Sequence, residues 1–292
     1  MSDQTTADLS TAADQPASDR PATASDPSAT SRSRRKPWEL VSYGARARIA
    51  VGLLLLALWE VGTRLFAPPY TARPTDMAPV FVDVLTSRDF IDAFLGTMWP
   101  IAQGLIFAVA VAVIVGLAMG QIKWIGWSLR GYTNALFTLP MVAVVPLVTM
   151  WLGYSETARL AVIVIAAYFP MVLNVYDGSR SVSQHYLEVA KTYRAPRWRV
   201  WFGVVLPASI PYLLAGFRLA SGRALVGAVV AEYIIGGLDG LGFYILVNAR
   251  SFSHNEAMIA VLALAAVGVA ILGGVKWATG RFAPWYDPTQ SN

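Results

Sequence analysis

Residues 188–207 read EVAKTYRAPRWRVWFGVVLP. Lys191, Arg194, Arg197 and Arg199 alternate there with Tyr193, Trp198, Trp201 and Phe202, and long apolar runs flank the stretch on both sides. On a helix over Gln184–Tyr193, the residues Tyr186, Val189, Ala190 and Tyr193 recur at i, i+3, i+4 and i+7 and form one apolar stripe. Ala190, small at the centre of that stripe, permits close approach by another surface. Pro196 disfavours helical geometry in Ala195, so this helix ends near Arg194. Pro196 can then open a second short helix with Trp198, Trp201, Phe202 and Val205 on its apolar side. Spacing alone leaves two readings of this helix–turn–helix. It is an amphipathic connector resting on lipid headgroups, or it is a docking element for a partner.

The rest of the chain decides the setting. Of 292 residues, 55% are hydrophobic and only 14% charged, against about 25% charged in soluble domains. With repeated apolar runs of about 20 residues, this predicts a polytopic, all-α membrane bundle. Cysteine is absent, which excludes disulfides, thiolate metal sites and cysteine nucleophiles. The two histidines, His185 and His254, are far apart, which argues against a histidine metal site. Residues 1–36 are rich in Ser, Thr, Ala, Asp and Pro and cannot bury enough apolar surface to fold. Arg34-Arg35-Lys36 lacks the apolar core that a secretory signal needs. The expected division is a disordered cytoplasmic tail over 1–45, a transmembrane domain over 46–283 and a short cytoplasmic tail over 284–292.

Six apolar segments are expected near 48–66, 97–119, 130–152, 157–178, 204–236 and 257–280. With an inward N-terminus, the inner flanks hold Arg46, Arg48, Lys123, Arg130, Arg180, the basic residues of 188–207, Lys276 and Arg281. The outer flanks hold only Arg64, Arg73, Arg88, Arg159 and Arg250. That bias favours both termini inside, and it puts residues 188–207 in the cytoplasm. Residues 67–96, with Pro68, Pro69, Pro74 and Pro79, read as an external loop and an interfacial helix. The glycine-rich GGLDGLG near 236–242 lets the chain fold back after span five.

No Gly-Lys dipeptide occurs, so the chain has no GxxxxGK[ST] loop for nucleotide. HExxH, GxSxG and aspartate-rich metal motifs are missing too. Charges within the spans are costly, at least ~2.5 kcal/mol each at mid-bilayer. Glu60, Arg218, Arg223 and Glu232 are therefore either path-lining groups or locally paired and snorkelling ones. Arg223 either attracts an anion or anchors span five. Met150 and Asn174 complete the candidate path residues. Gly116-x-x-x-Gly120 marks a close-packing seam.

Residues 188–234, EVAKTYRAPRWRVWFGVVLPASIPYLLAGFRLASGRALVGAVVAEYI, resemble the EAA-loop region of permease subunits of ATP-binding-cassette (ABC) importers. The family pattern is Glu-Ala-Ala, a Gly after three more residues, and a Pro thirteen beyond the Gly. Glu188, Ala190 and Pro207 match it; Val189 replaces the first Ala, and Arg194 stands where the family has Gly. Residues 139–182 and 222–242 are similar to the nitrate/sulfonate/taurine branch. The resemblance implies a type I importer permease fold with a coupling loop over 183–203. It implies contact with a separate ATPase through Tyr186, Glu188, Val189, Ala190, Tyr193, Arg194, Ala195 and Pro207. It further implies a permease homodimer, an extracytoplasmic solute-binding protein and a bacterial plasma membrane location. No catalytic residue, metal or cofactor is implied on this chain; ATP-Mg belongs to the ATPase. The implied cargo is a small solute, a sulfonate, taurine, nitrate or a small heterocycle. A secondary transporter or channel driven by an ion gradient is the competing reading.

Overall fold

The computed structural model describes residues 37–282, apart from 69 and 238. Its described residues are helices and the turns between them. In order these are α1 (Pro37–Phe66), α2 (Pro74–Met77), α3 (Phe81–Thr86), α4 (Arg88–Gln121), α5 (Lys123–Phe137), α6 (Met141–Leu152), α7 (Glu156–Arg180), α8 (Gln184–Thr192), α9 (Arg197–Val200), α10 (Leu206–Ile235), α11 (Leu241–Arg250) and α12 (His254–Phe282). A π-helical segment, Trp201–Val205, joins α9 to α10. The chain divides into two units, 1–54 and 55–292. In the first unit, residues 37–54 are helical and 45–54 are exposed. Helix begins at Pro37, within the stretch expected as a tail over 1–45; residues 1–36 and 284–292 lie outside the described residues.

In the second unit α7 packs along both α4 and α10. Small residues on the two outer helices make this possible. Gly104, Ala108, Ala112, Gly116 and Gly120 recur every four residues on α4; Gly216, Ala220, Ala224 and Ala228 do so on α10. The five alanines are fully buried. A Cβ on Gly104 would stand 2.6 Å from Ile163, one on Gly116 2.7 Å from Val175, and one on Gly216 2.8 Å from Asn174. Without a hydrophobic force between helices in lipid, close backbone approach of this kind supplies the association energy. Ile163, Ala167, Met171, Val172 and Val175 of α7 fill the space between the seams.

Local signals set the ends. Ser87 and Ser155 accept from the amides of Phe90 and Ala158 and cap α4 and α7. Gly153 (φ 70°) and Gly236 (φ 64°) end α6 and α10 in conformations that side chains rarely adopt.

Among the described residues, five helices are long and apolar enough to cross a membrane: Ala45–Phe66, Arg88–Gln121, Glu156–Arg180, Trp198–Ile235 and His254–Arg281. The segment expected as one span over 130–152 is instead two helices, α5 and α6, bent by 105°. Pro140 explains the break: its ring cannot continue α5, and it serves as the N-cap of α6. The stretch 88–96 is no separate interfacial helix but the first turns of α4, with α2 and α3 before it. The helix expected to follow Pro196 is not separate either. It runs through the π segment into α10, making one element of 38 residues from Trp198. The chain does fold back after α10, through the glycine turn into α11.

Candidate functional site

Two regions of the second unit carry the residues singled out in the sequence. The first is α8 and its turn. Tyr186, Val189 and Tyr193 are exposed (Tyr193 by 82%), while Ala190 is half-buried. The stripe is thus formed and left uncovered by the described residues. Glu188 is exposed, and its backbone carbonyl accepts the Thr192 hydroxyl. The helix then closes in a Schellman turn: Ala195 N–H donates to Ala190 O (3.0 Å) and Arg194 N–H to Lys191 O (2.9 Å). That turn requires a left-handed residue at Arg194, and Arg194 has φ 49°. The arginine therefore keeps the turn geometry that glycine would give and bears its steric cost. Pro207 lies beyond the π segment, where Leu206 N–H reaches back five residues to Trp201 O. This wider turn carries the hydrogen-bond register past a proline that has no donor.

The second region is at the opposite end of α7. Glu232, fully buried near the end of α10, gathers four elements. The Thr97 hydroxyl of α4 lies 2.9 and 3.1 Å from its two carboxylate oxygens and donates to them. The Gly242 amide of α11 donates at 2.7 Å. Arg159 of α7 reaches it at 3.4 Å, donates to Asp239 O at 2.8 Å, and pairs with Glu156. Leu241 N–H donates back to the Thr97 hydroxyl at 2.7 Å. Glycines make the approach possible: a Cβ on Gly96 would stand 2.6 Å from Asp239 O, and one on Gly242 2.8 Å from Glu232. A buried carboxylate in this setting is tolerated because several donors replace water. A cavity of about 740 Å³ opens beside this knot, lined by Asp83, Asp89, Asp92, Asp239 and Glu256 among others. Burial there, with Glu256 and Asp89 nearby, pushes the Tyr244 hydroxyl above its ordinary pKa.

The four candidate path residues do not come together. Met150 is exposed on α6. Asn174 is half-buried against Gly216, its amide donating to Pro170 O at 2.8 Å. Arg223 lies over the Phe137 ring, 4.9 Å from its centroid. Glu232 is sealed in the knot. Thr97, Arg159, Asp239 and Gly242 were not singled out as site residues by the sequence; the GGLDGLG run and a glutamate inside a span were the available signals. Glu60 pairs with Arg64 and Thr75, so it is locally satisfied.

The model of the binding-protein-dependent transport system inner membrane component matches residues 108–287. The chain belongs to that family. It is a transmembrane permease subunit of an ABC importer, a non-catalytic, multi-pass membrane component. Among its relatives is the formylaminopyrimidine transport permease ThiX of Halalkalibacterium halodurans, 26% identical over 84% of this chain and 97% of the relative. The putative aliphatic sulfonates permease SsuC of Bacillus subtilis is 29% identical over 86% and 91%. The taurine permease TauC of Escherichia coli is 28% identical over 88% and 96%. A crystal structure of a bacterial ABC transporter that imports alginate shares the fold, with a TM-score of 0.56 at 15% identity over 84% of this chain and 99% of that one. The permease reached from the EAA pattern and the branch reached from residues 139–182 and 222–242 are both upheld.

Proposed function

We propose that this permease pairs with a second copy to form the translocation path for a small solute, a sulfonate, taurine or nitrate-like anion or a small heterocycle. α8 docks into a separate ATPase subunit that binds ATP-Mg, and an extracytoplasmic binding protein delivers cargo at the Glu232 end. Both termini are cytoplasmic in a bacterial plasma membrane. The observation that carries this reading is the uncovered Tyr186/Val189/Tyr193 stripe on a helix held by a hydrogen-bonded turn at Arg194. An apolar face with basic residues at its end, attached to a membrane bundle, fits a groove on a partner.

The test is co-purification of the tagged chain with a co-expressed ABC ATPase from the same organism, followed by uptake in proteoliposomes. Glu188→Lys and Ala190→Trp are expected to release the ATPase and abolish ATP-dependent uptake. Uptake that persists without any ATPase and follows an ion gradient overturns the proposal.

A further inference from the structure

Arg223 poses a physical problem that the fold alone does not solve. It stands twelve residues before Ile235, about 18 Å along the helix at 1.5 Å per residue. Half the hydrocarbon thickness of a bilayer is about 15 Å. The surplus length of Trp198–Ile235 lies at its other end, where Trp198 and Phe202 are exposed beside Arg199. Taking Ile235 as the outer boundary of the span puts Arg223 near mid-membrane. Among the described residues its guanidinium meets the face of Phe137 and neither a carboxylate nor a carbonyl. It is half-exposed, and its helix presents Leu219, Gly222 and Val226 as uncovered neighbours. Facing lipid tails at that depth would cost an open guanidinium with five donors at least ~2.5 kcal/mol, and intramembrane arginines by default face a bundle interior or a water-filled cavity. Phe137 is the last residue of α5, at the 105° break before α6. The ring therefore fixes the cation beside the kink while leaving its N–H groups free.

We propose that Arg223, held by Phe137, is an anion-binding station on a water-filled path, taking a small oxyanion such as a sulfonate or carboxylate. This rests on the reading of the chain as one half of a transport path. The planar guanidinium fork matches two oxygens of such a group. A single uncompensated charge in a low-dielectric channel also concentrates anions over cations by tenfold or more.

The natural chain has no cysteine, and a Cβ at Gly222 meets nothing within 4 Å, so Gly222→Cys is a sole, accommodated thiol. In membranes holding the assembled transporter, its labelling by a sulfonate-bearing methanethiosulfonate is compared with that by a trimethylammonium-bearing one. The expected result is faster reaction with the sulfonate reagent, a rate ratio that drops about tenfold when Arg223→Gln is added, and a ratio retained with Arg223→Lys. Phe137→Leu lowers the ratio partway. The proposal is overturned if the thiol resists both reagents in membranes yet reacts fully once denatured, which places that face against lipid or protein. It is equally overturned if the ratio is indifferent to the charge at position 223. Neither result touches ATPase binding, so the permease reading stands or falls separately on co-purification.

Discussion

At the scale of single residues, the turn after α8 shows how a motif position is kept by backbone geometry when its usual side chain is gone. Arg194 is left-handed because the two capping hydrogen bonds leave no other geometry there. The conformation costs an L-residue about 1 kcal/mol. Arg194→Gly is therefore expected to stabilise the loop, raising the thermal midpoint in detergent by about 2 °C. Arg194→Val, β-branched and poorly suited to positive φ, is expected to lower it. The mismatch with the family pattern was plain in the sequence. Its resolution was not, since nothing in a string of letters says whether a turn moves or a residue bears strain.

At the scale of elements, two devices hold the bundle, and they differ in how far the sequence revealed them. The seams on α4 and α10 are written openly as small residues every fourth position, though only Gly116-x-x-x-Gly120 was read as one. Filling them should force helices apart: Ala112→Leu or Gly116→Leu is expected to cost about 1–3 kcal/mol, whereas Ala110→Leu, on the exposed face of α4, leaves the midpoint unchanged. The Glu232 knot was beyond reach because its members are scattered from Thr97 to Gly242 and only tertiary packing assembles them. Removing one partner of a buried pair costs about 3–5 kcal/mol. Glu232→Ala and Arg159→Ala should each reduce folded yield sharply, and the double variant should cost less than their sum. The broken third span was missed for a related reason. Hydropathy runs unbroken across Pro140, and only the direction of the chain changes there.

At the scale of the whole molecule, docking and stability should separate cleanly. The α8 stripe touches little else in the chain, so Val189→Asp with Tyr193→Asp should change the unfolding free energy by no more than about 0.5 kcal/mol. The same pair should abolish ATPase retention on an affinity column. Most of the apolar segments and the family itself were legible because hydropathy and a spaced motif are local properties. The pairing of distant charges was not. The π segment at Trp201–Val205 has one more consequence. An extra residue in an ordinary turn would rotate everything before it by about 100°, and the wider i→i+5 turn takes that residue up instead. Deleting Gly203 would therefore restore an ordinary turn and leave α8 nearly where it is about the axis of α10. One residue added to an ordinary turn of α10 would keep every span intact, yet turn α8 away by that angle.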